Sequence, residues 1–395
     1  MKKLKISTAS FLGPFFGLLL LAFFSFRQLG NSLHDLRVYW IGARIFLSGA
    51  NPYDADFVVQ FSKPYVGTWP FNYAPLSLLY FSFLGFLTLA HAQVVWLILK
   101  FFAMTALLSQ WKRLKLFSEI NVLVVLGTIL AFHHAVQVDF GAGNISTFEQ
   151  LGLWVSIVAL IEKRFWGFII PLVLVAQFKW NVEMFLVLWP LTYGIRITKR
   201  GVIASVFVAL ITSLNFLFPA VFMQMFLATS KTMLRESSGS ANPAAFPFWD
   251  SFAAAIHRAH PEFSADWGPR TYWTWAVLAS LGALYVWTQF QKKRKTNTRE
   301  SALELVMLVV SWYAIVIPRF KDYSYILLIP FAFYVLSKSS RWIQLAILLL
   351  VFVDIPVDFL TNASFLKSHL GEYQPYIASL FLAGVHWRNL LRRTA

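Results

Sequence analysis

Long apolar runs, separated by short basic connections, recur along the whole chain, and their pattern predicts twelve membrane crossings. They fall near residues 10–26, 92–110, 120–136, 146–161, 165–178, 181–194, 201–218, 271–290, 303–317, 324–337, 341–357 and 375–388. The first run follows Lys2, Lys3 and Lys5 and lacks a small-residue cleavage site, so it reads as an uncleaved span. Residues 75–90 are apolar as well, but counting them would move Lys112, Arg113 and Lys115 to the opposite face. They therefore read as a re-entrant or interfacial helix. Residues 165–193 must form a hairpin of two helices of about 13 residues, each roughly 20 Å long and shorter than the hydrocarbon core. Short helices around a recessed, water-accessible site account for that.

Composition agrees. Of 395 residues, 58% are hydrophobic and only 13% charged, about half the charge of an ordinary soluble domain. A soluble enzyme, a disordered chain and a fibrous repeat are excluded. With no Cys, disulfides, thiolate metal sites and cysteine nucleophiles are excluded too. The net charge of +16 is distributed by face. The seven short connections predicted to be cytoplasmic hold 21 of the 34 Lys and Arg against four acids, while everything else holds 13 bases and 14 acids. The basic excess is a topology signal with both termini inside, and nucleic acid is not an expected partner.

The long polar segments, 27–75, 137–145, 219–270, 318–323 and 358–374, then all face the other side. Polar chemistry confined to one face suggests a membrane enzyme; a transporter concentrates it near the midplane. In the first of these segments, residues 32–48 have a helical period with Leu33, Leu36, Tyr39, Trp40, Ala43, Phe46 and Leu47 on one face, and Gly49 and Pro52 end it. This predicts an amphipathic helix lying on the membrane surface. Asp35 in its first turn reads either as a dipole-stabilising acid or as a carboxylate general base.

Lys179 lies among apolar residues. It reads as a phosphate ligand, as a snorkelling side chain, or as the i,i+4 partner of Glu183. Arg319 and Lys321, just outside Pro318, suit phosphate or an interfacial anchor. Arg258 and Arg270 are weaker phosphate candidates. Asp54 and Asp56 form an acid-x-acid pair after a Pro-Tyr turn, where helix capping is favoured over metal binding. His133 and His134 are adjacent, so on a regular helix they point apart and make a poor metal pair; His257 and His260 have metal-like spacing without a clear third ligand. No metal site is expected, and no serine motif joins His34 and Asp35 in a hydrolytic triad. The aromatic run from Phe246 to Phe252 reads as membrane-surface packing, or as an acceptor-pocket wall with Trp249 stacking on a sugar. Residues 237–243 are flexible by composition, and Asn362–Ser364 spell a glycosylation sequon.

The motifs from Asp35 to Tyr39, Gly49 to Tyr53 and Phe71 to Pro75 together resemble the opening signature of glycosyltransferase family 87, integral-membrane GT-C enzymes that include polyprenol-phosphate-mannose-dependent α-mannosyltransferases. Gly143-Asn144-Ile145-Ser146 resembles the family's short glycine-asparagine motif, Lys179 its hairpin-tip lysine, and Ile317 to Tyr323 its late proline motif, covering most of residues 1–340 in order. The resemblance implies one GT-C domain over residues 1–395 in the plasma (inner) membrane. A sugar, mannose foremost, would pass with inversion from a polyprenyl-phosphate donor to a lipid or glycan hydroxyl on the outer face. It makes Asp35 the general base. Lys179, Arg319 and Lys321 would hold phosphate; Tyr53 and Asn144 would position substrate; Asp322 or Tyr323 would take a second acid/base role. No cofactor is implied, and metal independence is favoured. Two departures stand out: several members carry histidines where this chain has Lys321 to Ser324, and the frequent Gly-Gln-X-Asn form is here Gly141-Ala-Gly-Asn144. The alternatives are a flippase or transporter of lipid-linked sugars, for which the membrane-buried charges Lys100, Lys179 and Glu183 are few, and a polysaccharide polymerase or ligase.

Overall fold

The structure is a computed structural model that describes residues 8–31, 33–63, 71–194, 199–233, 242–262, 267–293, 298–354 and 371–394. The sequon and most of the composition-flexible loop at 237–243 lie outside these residues. The described chain is all-α, with 17 helices and no strand. In order they are α1 (Thr8–Arg27), α2 (His34–Leu47), α3 (Ala55–Ser62), α4 (Ser77–Phe81), α5 (Leu89–Arg113), α6 (Val122–Ala142), α7 (Ser146–Ile161), α8 (Phe165–Ala176) and α9 (Leu188–Tyr193). There follow α10 (Lys199–Ser213), α11 (Ala220–Met233), α12 (Ala245–Ala259), α13 (Trp267–Lys293), α14 (Arg299–Val316), α15 (Ile329–Ser337), α16 (Arg341–Phe352) and α17 (Gln374–Thr394).

Two of these, α5 and α6, are long and apolar enough to cross a membrane, and a third crossing results if 201–217 and 220–231 count as one span bent by 106°. Several of the other predicted crossings are occupied by shorter apolar helices, among them Ser146–Ile161, Phe165–Ala176 and Arg341–Phe352. A helix of 12 residues is about 18 Å long, well short of a hydrocarbon core of about 30 Å. Tighter 3-10 segments at Trp180–Val187, Leu214–Leu217 and Asp322–Leu328 divide apolar runs that the sequence presents as continuous. Residues 77–86 form two short helical pieces, too short to cross.

The chain divides into two compact units, residues 1–125, 138–190 and 194–233 in the first, and 126–137, 191–193 and 234–395 in the second.

In the first unit, α2 starts and stops where the sequence predicts, ending before Gly49 at φ 81°, a conformation that favours glycine. It does not, however, lie open on a surface. Val38, Ile41 and Ile45 are buried along with Leu33, Leu36, Tyr39, Trp40 and Ala43 of the predicted apolar face, whereas Phe46 is half-buried and Leu47 exposed. The chain at 71–87 folds over the helix: Gly42 fits under Phe71, Gly85 closes on Ala43, the Tyr39 ring stacks on Phe81 at 4.4 Å, and the Trp40 indole donates to the Leu87 carbonyl at 2.9 Å. Asp54 caps α3, accepting the Asp56 N–H at 2.9 Å, which is the capping role its turn position suggests.

In the second unit, Tyr272, Trp275 and Tyr376 close a core by donating to the carbonyls of Val316 and Ile315 at 2.8–3.0 Å. Within α6, Phe132, His133 and His134 take left-handed backbone angles (φ 50°, 57° and 60°) and break the helix. The expectation that the two histidines point apart is corrected here. The left-handed turn brings both imidazoles to one carboxylate, His134 Nε2 at 2.7 Å and His133 Nε2 at 3.7 Å from Asp354. Among the described residues, no group of three His, Asp or Glu side chains gathers with metal-binding geometry.

Candidate functional site

The predicted acid and the predicted lysine belong to one polar network in the first unit. It begins at the end of α6, where Gly143 adopts φ 70° and its amide closes on the carbonyls of Asp139 and Phe140. A side chain at this position would be strained by φ and would also come within 2.8 Å of Leu36 Cβ. Glycine therefore lets the turn dock on the first turn of α2 and sets Asn144 beside Asp35. The Asn144 Nδ2 amide donates to Asp35 Oδ2 at 2.7 Å. Its Oδ1 accepts from the Ser146 amide at 3.0 Å and the Ser146 hydroxyl at 2.9 Å, capping α7 from one residue before its nominal cap.

From Ser146 the network reaches Lys179. The ammonium lies 3.4 Å from Ser146 Oγ and 2.7 Å from Glu149 Oε2. Packing of α8 against α7 makes this contact: a Cβ on Gly152 would stand 2.3 Å from the Val175 side chain, so glycine there permits close approach. Four residues after Val175, Lys179 has extended angles (φ −142°, ψ 104°) that end the helical run. The i,i+4 pairing with Glu183 is thereby excluded. Glu149 on α7 takes the lysine, and Glu183 accepts a hydrogen bond from Thr212 instead.

Beneath this surface lies a sealed ion pair. Lys100 on α5 is fully buried and donates to Asp139 Oδ2 at 2.6 Å, the Asp139 carbonyl at 3.0 Å and the Asn144 carbonyl at 2.6 Å. These three bonds use all the ammonium protons. Thr147 adds a hydrogen bond to the same Asp139 oxygen. The ammonium is fully satisfied and also holds the Asn144 backbone, while of the two Asp139 carboxylate oxygens only Oδ2 is hydrogen-bonded. Trp96 fixes the preceding residue, donating to the Gly143 carbonyl at 2.8 Å.

An aromatic floor completes the first unit's site. The hydroxyls of Tyr39 and Tyr73 are 2.9 Å apart, and the Tyr53 hydroxyl donates to the Tyr73 carbonyl at 2.6 Å. Burial, together with the charges of Asp35 and Glu149, pushes the Tyr73 phenol well above its ordinary value, so it stays a neutral hydroxyl. Tyr53 sits within the core, its ring packed on Phe71, Phe222 and Phe226.

The side chains of Asp35 and Lys179 are 23% and 24% exposed, whereas the groups that hold them are closed off. An accessible carboxylate and an accessible ammonium, braced from behind, can take a proton and neutralise an anion on neighbouring ground.

Arg319, Lys321, Asp322, Tyr323 and Trp249 belong to the second unit. Arg319 and Lys321, both half-buried, flank Phe320, which is buried and donates its amide to Asn242 Oδ1 at 2.8 Å. Burial pushes the Asp322 carboxyl up to about 6, against the opposing charge of Lys321. Trp249 on α12 packs against Trp275 and Phe252, beside a groove of about 460 Å³ that also includes Trp267 and Arg270.

Nothing in the local sequence pattern marks Asp139, Thr147 or Glu149; Ser146 enters only as the end of the glycine-asparagine motif, and Lys100 only as a charge in the membrane. A lone lysine inside an apolar helix demands a buried acid, and that requirement was the available signal for Asp139. The chain matches no protein-family model and no curated protein.

Proposed function

We propose that this chain is an integral-membrane glycosyltransferase of the GT-C type, with about twelve crossings in the plasma (inner) membrane. It would move a sugar, mannose foremost, from a polyprenyl-phosphate donor to a lipid or glycan hydroxyl on the outer face. The observation that carries this reading is the continuous path from Asp35 through Asn144 and Ser146 to Lys179. In the reaction the acceptor oxygen bonds to the anomeric carbon with inversion as the bond from that carbon to the phosphate oxygen breaks. Asp35 takes the hydroxyl proton, and Lys179 stabilises the charge gathering on the departing polyprenyl phosphate. Asn144 holds Oδ2 of the Asp35 carboxylate, and Oδ1, with His34 Nε2 at 3.5 Å, would be the oxygen that takes the proton.

A lipid-linked-sugar flippase is the weaker reading, because the two charges inside α5 and α6 spend their hydrogen bonds on each other and on the Asn144 turn. Incubating the purified protein with polyprenyl-phosphate sugars and an extracted lipid or glycan pool, read by mass spectrometry, tests the proposal. The expected result is an acceptor heavier by one hexose. Movement of labelled lipid-sugar across proteoliposomes without a new glycosidic bond would favour the flippase.

A further inference from the structure

We propose that Glu149 is the counter-ion which Lys179 exchanges for substrate phosphate, and that its retained charge drives release of the polyprenyl monophosphate product. The inference rests on the reading of Lys179 as a phosphate ligand.

The pair is asymmetric. The Glu149 side chain is 6% exposed and the Lys179 side chain 24%, with 2.7 Å between Nζ and Oε2. Glu149 sits in the first turn of α7, where the helix dipole favours a carboxylate. Ser146 Oγ, 3.4 Å from the same ammonium, supplies a third polar group at this helix start. A phosphate would reach Lys179 through the exposed part of its side chain, whereas Glu149 beside the same ammonium is enclosed.

The two anions that visit the site differ in charge. The donor is a phosphodiester with a single negative charge, whereas the product monoester carries about −1.5 to −2 at neutral pH. Repulsion from a fixed carboxylate grows in proportion to that charge. Glu149 therefore penalises the product more than the donor and offsets the tighter grip that a lone lysine would have on the more highly charged species.

The test uses the full chain in detergent, at low salt and pH 7.5. It measures binding of a polyprenyl monophosphate and of the methyl ester of the same lipid phosphate. In the wild type the monoester should bind less than tenfold more tightly than the diester, which needs no variant. In Glu149→Gln, nearly the same shape without the charge, monoester affinity should rise about tenfold or more, with a smaller gain for the diester. A purely structural role for the ion pair predicts the opposite sign, a weaker site. Unchanged or weaker monoester binding in a folded Glu149→Gln protein overturns the proposal, as does a wild type that prefers the monoester tenfold. Failure of the underlying reading is seen separately: Lys179→Met would then bind both lipids as the wild type does.

Discussion

The side-chain amide of Asn144 donates to the Asp35 carboxylate at 2.7 Å, across 109 residues of sequence. Because the other end of the same amide caps α7 through Ser146, Asn144 fixes the acid relative to the helix start where Lys179 also sits. Asn144→Ala should cut turnover by about tenfold or more, the typical loss when a charged hydrogen-bond partner is removed. The folded fraction should be retained. Steady-state rates normalised to folded protein by size-exclusion profile check this.

Gly143 is the hinge of that contact. Gly143→Ala forces a side chain into φ 70° and against Leu36 Cβ at 2.8 Å. A loss of about 1–3 kcal/mol is expected. Comparing denaturation midpoints with those of Gly384→Ala, where the added carbon meets nothing within 4 Å, isolates the effect.

The buried pair of Lys100 and Asp139 predicts strong non-additivity. Lys100→Met leaves a sealed carboxylate without its cation and should cost about 3–5 kcal/mol. Adding Asp139→Asn should recover most of that stability. Activity should stay low in the double variant, because the Asn144 carbonyl has still lost its donor. Thermal unfolding and transfer rates, measured on the same samples, separate the two outcomes.

Asp322 predicts a pH dependence in the second unit. Its carboxyl is raised to about 6 by burial, above the ordinary 3.8. The folded protein therefore holds this proton more tightly than the unfolded chain, and stability falls as pH rises from about 4 through 6. Asp322→Asn should remove that decrement, leaving the variant with a flatter Tm profile and a higher relative Tm at pH 7. Superimposable wild-type and Asp322→Asn profiles would contradict it.

Local features were legible in the sequence. The period and glycine stop of α2, the capping role of Asp54 and the hairpin tip at Lys179 depend on neighbouring residues and appear where the pattern predicts. Features set by packing were not. Glu149, 30 positions before Lys179 and on another helix, becomes its partner through the Gly152–Val175 approach. The enclosure of α2 depends on residues 71–87 folding over it, which no periodicity within α2 records. The left-handed turn at Phe132, His133 and His134 has neither glycine nor proline to announce it. Hydropathy likewise reads 181–194, 201–218 and 324–337 as single runs, because it does not register the 3-10 segments at Trp180–Val187, Leu214–Leu217 and Asp322–Leu328.

The central claim is that Asp35 takes the acceptor's proton, and transfer by Asp35→Asn tests it most directly. The wild type and the variant are given the same polyprenyl-phosphate sugar and acceptor pool, and glycosylated product is quantified by mass spectrometry. The account predicts a variant that folds, binds polyprenyl phosphate as before and turns over about 10²–10⁴ times more slowly. Full transfer activity in a normally expressed Asp35→Asn protein would contradict it.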